Sequence, residues 1–152
     1  DKIPSVKLKY ASENGPADIT TDEIFAGKKV VLFAVPGAFT PTCTAAHLPG
    51  YVVAVDDIKA RGVDTVVCMA VNDAFVMKAW GQQQNAEHLL MLADGNGELT
   101  RALGLELDGT GFGLGIRAKR FAMIVNDGVV ELLNIDQAAL EKTTAEAVLA
   151  AL

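Results

Sequence analysis

Three short runs rich in β-branched residues, a helix-length stretch between the first two, and an Asp-Gly turn after the third predict an α/β fold, with a central mixed β-sheet flanked by helices. The runs are Val30 to Val35, Thr65 to Val71 and Phe121 to Val125, each apolar at consecutive positions, as strands buried on both faces are. The stretch between the first two ends at Lys59-Ala60-Arg61-Gly62, where a basic last turn and a glycine stop a helix. Strand, helix, strand at this spacing is a crossover unit, so the two strands are expected side by side and parallel.

After the second run, Asn72 reads as the N-cap of a helix from Asp73 to about Gln83, which carries the single tryptophan, Trp80. Asp127-Gly128, between Phe121 to Asn126 and Val129 to Leu133, signals a β-hairpin, so an antiparallel pair joins the sheet. Thr144 to Leu152 reads as a closing helix, with Thr143 and Glu146 at capping-box spacing. This order is compatible with a thioredoxin-like layout and with other α/β arrangements.

The chain of 152 residues is 51% hydrophobic and 21% charged, which fits one globular domain over residues 1–152. A domain of this length buries roughly 70% of its unfolded surface and needs neither disulfide nor metal as a staple. A net charge of −6 argues against nucleic acid or an anionic membrane as partner, since both require a concentrated positive surface. The longest apolar runs are strand-sized, well short of the ~20 residues that span a bilayer. Asp1-Lys2-Ile3-Pro4 lacks the basic and apolar segments of a signal peptide, and two cysteines suit a reducing compartment. A cytoplasmic location is therefore expected, although an organellar protein that had lost its presequence would read the same.

Of the two cysteines, Cys43 has the surroundings of a reactive thiol. It follows the first strand in Pro36-Gly37-Ala38-Phe39-Thr40-Pro41-Thr42-Cys43, and connections at the carboxyl ends of strands are where α/β proteins place sites. Pro36 and Pro41 stiffen the connection, Gly37 lets it turn, and Thr40 or Thr42 is placed to cap the helix that begins there. Cys43 then falls in the first helical turn, where free N–H groups and the helix dipole favour thiolate, the nucleophilic form. Cys68 lies inside an apolar strand and reads as packing.

Pro36, Thr40 and Cys43 match the Pro-x-x-x-Thr-x-x-Cys motif of the peroxiredoxins. The longer run from Val35 to Cys43, with His47-Leu48-Pro49-Gly50 after it, resembles the peroxiredoxin 5 subfamily, which includes the plant type II enzymes. The similarity continues through Val71 to Val76, Trp80, Leu92 to Gly95 and Lys119-Arg120-Phe121, covering about Lys28 to Asn134. The resemblance implies a thioredoxin-like fold and a thiol peroxidase that reduces hydrogen peroxide and small organic hydroperoxides through a sulfenic acid on Cys43. It also implies that Thr40 bonds the thiolate or peroxide, that Pro36 shields the thiolate, that Arg120 stabilises both, and that the protein is a homodimer packed near its active-site loops.

Some members of the subfamily carry a second, resolving cysteine near the C-terminus, and Ile135 to Leu152 has none. Cys68 is the remaining candidate, with doubtful reach from a strand. The expectation is a one-cysteine cycle resolved by an external thiol, first glutathione with glutaredoxin, second thioredoxin. Arg117, Lys119 and Arg120 read either as a receiver for an anionic thiol or as a solvated strand end.

Gly37, Phe39, Thr42 and Phe112 are candidate substrate contacts, Phe39 as pocket wall or core anchor and Phe112 as wall or part of a mobile glycine loop, Gly109 to Gly115. His47, four residues after Cys43, reads as packed or hydrogen-bonded near the helix start. No metal or cofactor is expected, because only Cys68, His88 and scattered carboxylates remain to complete a metal site. A thiol sensor on the same fold is the competing class. A disulfide oxidoreductase lacks its second cysteine, because Thr44, Ala45 and Ala46 follow Cys43.

Overall fold

A computed structural model describes every residue of 1–152 except Ala138. The elements run β1 (Lys7–Ser12), β2 (Gly15–Thr20), α1 (Thr21–Phe25), β3 (Lys29–Ala34), a π-helical turn (Cys43–His47), α2 (Leu48–Ala60), β4 (Thr65–Ala70), α3 (Ala74–Gln83) and β5 (Leu90–Ala93). They continue with α4 (Glu98–Leu103), β6 (Glu106–Asp108), a 3-10 turn (Thr110–Phe112), β7 (Ile116–Ala118), β8 (Arg120–Asn126), β9 (Val129–Asp136) and α5 (Ala145–Ala151).

Seven strands form one mixed sheet in the order β2-β1-β5-β4-β3-β8-β9, and β6 and β7 form a separate hairpin. The expected crossover is present, since β3 pairs in parallel with β4 around α2. The apolar runs are explained by burial on both faces. Val31 and Phe33 of β3 point to one face, against Leu48, Tyr51, Val55 and Ile58 of α2, Trp80 of α3 and Val148 of α5. Val30, Leu32 and Ala34 point to the other, against Ile24 and Phe25 of α1 and Leu99 of α4. Phe33 stacks on Tyr51 with centroids 3.7 Å apart and planes 5° from parallel.

Asp127 and Gly128 both take positive φ, 48° and 77°, which the tight β8–β9 hairpin requires. Two caps differ from the sequence reading. Asp73, not Asn72, caps α3 by accepting from the Val76 amide, because Asn72 is drawn into the loop after β3. Thr144, not Thr143, caps α5 through the Ala147 amide, and no capping box forms there because Thr143 is buried and bonded to Asp136. The sequence reading also lacked β1 and β2, which are as long as β3 but only partly buried, and the short β5 to β7, α1 and α4.

One register decides where the site lies. Ala34, the last residue of β3, pairs with Phe121 in antiparallel β8, so Arg120 stands at the sheet edge from which the Pro36 to Cys43 connection departs. Asp136 pairs with Arg120 on the next strand.

Candidate active site

The chain leaves β3 through Pro36 and enters a helix at Pro41, whose first turn is anchored by the Thr44 amide on the Thr40 carbonyl. Cys43 is in that first turn, as expected. Neither threonine hydroxyl caps it, however. Thr40 Oγ1 donates to the Gly37 carbonyl at 2.6 Å, tying the loop to itself, and Thr42 makes no side-chain cap and is exposed. From Cys43 the helix widens into one π turn, with the Leu48 amide donating to the Cys43 carbonyl. Such turns are rare and collect at functional sites, and this one spans Cys43 to His47.

Cys43 is 1% exposed, and its thiol is free. Arg120 Nη2 donates to Cys43 Sγ at 3.2 Å, while Nη1 of the same guanidinium is 2.6 Å from His47 Nδ1. A guanidinium has no acceptor, so Nδ1 accepts and the ring proton sits on Nε2. Nε2 then donates to the Thr143 carbonyl at 2.9 Å, which also receives the Tyr51 hydroxyl at 2.7 Å. The arrangement delivers a cation, fixed in direction, to the sulfur. A thiolate there is stabilised by charge and by a charge-assisted hydrogen bond, and the planar fork reaches both partners at once.

Burial of His47 lowers its pKa from the ordinary 6.5 to about 4, with Arg120 acting in the same direction and the bond to Thr143 opposing both. His47 is therefore neutral at pH 7, as the acceptor role demands. The unfolded chain takes up this proton near pH 6.5 and the folded protein only near 4, so stability from neutral His47 is full above 6.5 and is lost as pH falls towards 4. Denaturant titrations at pH 7.5 and 4 are expected to differ by about 3 kcal/mol more in the native protein than in His47→Gln.

Other candidates are distributed as follows. Asn72 Oδ1 accepts from the Ala38 amide at 2.9 Å, and Arg117 Nη1 reaches the Pro36 carbonyl at 3.3 Å and Asn72 Oδ1 at 3.4 Å. Arg117 is thus a strut for the loop rather than a freely solvated charge. Glycine suits this packing, since a Cβ on Gly37 would lie 2.9 Å from both Arg117 Nη1 and Thr40 Cγ2 and would displace them. Phe39 is neither core anchor nor a lining residue of the cleft beside Arg120. It is 48% exposed with φ of 64°, and its ring lies 6.4 Å from that of Trp80. Phe112 is 88% exposed on the β6–β7 hairpin and forms no wall. That glycine segment is closed by hydrogen bonds between Gly109 and both Leu114 and Gly115, so it is a formed turn.

Pro36, Thr42, Arg120 and Asp136 line a cleft of about 320 Å³ together with Leu107, Lys119 and Leu140, with the Cys43 sulfur behind the guanidinium rather than in the cleft wall. Two larger grooves, about 460 and 430 Å³, are lined by neither Cys43 nor Arg120. Cys68 lies fully buried in β4, opposite Phe33, and burial pushes its thiol well above the ordinary value. Sequence reasoning missed Asn72, Tyr51, Asp136 and Thr143, and left His47 without its partner Arg120. Only His47 offered a signal, its four-residue spacing from Cys43.

A mixed sheet between helical layers, with one cysteine at a helix start under an arginine, defines a thiol oxidoreductase with a single reactive-site cysteine. Residues 1–149 match the model of the Redoxin family. The rice (Oryza sativa subsp. japonica) protein named Peroxiredoxin-2E-2, chloroplastic, is 47% identical over 162 aligned residues, covering all of this chain and 71% of that protein. Peroxiredoxin sll1621 of Synechocystis is 46% identical, covering 90% and 77%. Reduced Prx3 of Vibrio vulnificus in complex with hydrogen peroxide superposes with a TM-score of 0.95 at 55% identity, covering 99% of this chain and 96% of that one. Peroxiredoxin 5 of Alvinella pompejana superposes at 0.85 with 37% identity, covering 99% and 94%. The chain belongs to the Redoxin family and, within it, to the type II peroxiredoxins, which are thiol peroxidases on a thioredoxin fold.

Proposed function

We propose that residues 1–152 form one catalytic domain in which Cys43 reduces hydrogen peroxide and small organic hydroperoxides. The observation that carries this is the Arg120 guanidinium, held on one side by His47 and donating on the other to Cys43 Sγ. The thiolate attacks one peroxide oxygen, the O–O bond breaks, and the departing oxygen leaves with the bonding pair and takes a proton, giving water or an alcohol. Cys43 is left as sulfenic acid. Arg120 donates to the developing charge. Pro36 walls the site, while Thr40 and Gly37 hold the loop; with its proton on the Gly37 carbonyl, Thr40 Oγ1 is left as an acceptor for a peroxide O–H. Of the candidate substrate contacts, Thr42 borders the cleft.

An external thiol then condenses with the sulfenic acid, releasing water, and a second thiol frees Cys43 as a disulfide departs. Burial of Cys68 within the sheet supports this one-cysteine cycle. Glutathione with glutaredoxin is our first assignment and thioredoxin the second. Turnover of hydrogen peroxide with each reductant system decides between them, and turnover with neither sinks the enzymatic reading in favour of a sensor that reacts once.

Exposed Phe39, Phe75 and Phe112 support a homodimer that covers them. Sedimentation is expected to give a dimer at micromolar concentration, and Phe112→Asp to shift it towards monomer; a native monomer at high concentration refutes the dimer. Among the described residues, no helix is long and apolar enough to cross a membrane. We assign the protein to the cytoplasm, with an organelle the alternative suggested by relatives whose names include "chloroplastic".

A further inference from the structure

Arg120 is useful to Cys43 only if it is aimed, and among the described residues its guanidinium bonds only to the Cys43 and His47 side chains. His47 in turn is oriented by the Thr143 carbonyl. That carbonyl belongs to the irregular segment between β9 and α5, where no ladder or helix fixes a backbone group in direction. Besides the Tyr51 hydroxyl, which bonds the same oxygen, what holds its residue in place is Asp136, the last residue of β9 and itself buried. Its carboxylate accepts from the amides of Glu141, Lys142 and Thr143 at 2.9–3.1 Å and from the Thr143 hydroxyl at 2.7 Å.

Asp136 stands opposite Arg120 in the β8–β9 register. An ion pair between them would be the simple expectation for such a pair, yet the described residues contain none, and the carboxylate is turned onto the 141–143 backbone instead. A carboxylate drawn onto the guanidinium would neutralise the charge that Cys43 needs. Spent on the backbone, it fixes a neutral carbonyl that dictates which ring nitrogen of His47 carries the proton.

Resting on the reading of Cys43 and Arg120 above, we propose that Asp136 is a positioning residue for peroxide reduction. It fixes the Thr143 carbonyl, which holds His47 with its proton on Nε2, and so leaves Nδ1 to aim Arg120 at Cys43. The chemistry passes through no new group. Asp136 borders the cleft beside Arg120, but its carboxylate bonds the 141–143 segment and not the sulfur or the guanidinium, and its influence is carried by Thr143, His47 and Arg120 in turn.

The test is a double-mutant comparison. Single-turnover oxidation of Cys43 by hydrogen peroxide is measured in the native protein, Asp136→Asn, Arg120→Ala and the double variant, with nitrogen NMR of the His47 ring in the native protein and Asp136→Asn. Asp136→Asn is expected to slow oxidation about tenfold in the native background and less than twofold once Arg120 is alanine. The His47 ring is expected to show the Nε2–H form in the native protein and a mixture of forms in Asp136→Asn. Equal slowing in both backgrounds overturns the proposal, since a clamp that only stabilises the loop acts alike with or without Arg120. A folded Asp136→Asn that oxidises within twofold of the native rate overturns it as well.

The ring measurement uses no peroxide, so an unchanged His47 form refutes the positioning whatever Cys43 does. Failure of the native protein to oxidise at Cys43 instead refutes the functional reading. Should Asp136→Asn not fold, Thr143→Val keeps the carbonyl and loses only the hydroxyl bond to Asp136. It is expected to slow oxidation about threefold in the native background alone, and equal slowing in both backgrounds again overturns the proposal.

Discussion

Cys43→Ser is expected to lower peroxide consumption with a thiol reductant by more than about 10³-fold, to background, whereas Cys68→Ala retains it within about twofold. The asymmetry follows from where each sulfur lies. Cys43 is at a helix start, under the Arg120 guanidinium at 3.2 Å, and that guanidinium lines a cleft. Serine there keeps the shape but offers a hydroxyl far too weakly acidic to become the nucleophile. Cys68 sits between β3 and β5 with no exposed surface, and burial holds its thiol protonated. Its replacement by alanine removes one sulfur from the core, at a cost of about 1 kcal/mol in stability, and leaves the chemistry in place. Loss of turnover in Cys68→Ala with single-turnover oxidation intact would establish Cys68 as the resolving cysteine, and full activity in Cys43→Ser would remove Cys43 from the reaction.

Arg120→Ala is expected to slow oxidation of Cys43 by about 10²- to 10³-fold, the usual effect of removing a fixed donor aimed at developing charge. Lysine is expected to restore little. Its ammonium is a compact charge on a flexible stem, whereas the arginine fork bonds His47 through Nη1 and Cys43 through Nη2 in one rigid plane. The measurement is the second-order rate constant for peroxide at constant pH and ionic strength. An Arg120→Ala rate within threefold of native would remove the guanidinium from the mechanism.

Much of this was legible along the chain because the signals are local. The strand runs, the Gly62 stop and the Asp127-Gly128 turn each act over a few residues, and their structures follow. The rigid turn before Cys43 is equally local, and Cys43 does fall in a first helical turn. Of the capping threonines that failed, Thr40 is turned back onto the Gly37 carbonyl three residues earlier, a local competitor, whereas Thr143 is drawn away from the helix end by Asp136 on β9, a contact set by the tertiary structure. Asn72 failed likewise, since a loop amide from 34 residues away competes for its side-chain oxygen. Short strands such as β6 and β7 carry too few residues for a period to register, and they form because the fold holds their ends together.

The sequence by itself determined the α/β class, the parallel core pair, the separation of one packed cysteine from one at a helix start, and a motif specific enough to resemble a peroxiredoxin. Only the tertiary structure decided how Arg120 is aimed at that sulfur and that His47 and Thr143 stand behind it. Arg120 is 77 residues from Cys43 and reaches it because Ala34 pairs with Phe121; His47 and Thr143 are 96 apart and meet because β9 and α5 bracket the segment tied down by Asp136. Turn and strand preferences are set by a residue's own neighbours, whereas the direction of a hydrogen bond between distant side chains is set by sheet register and packing.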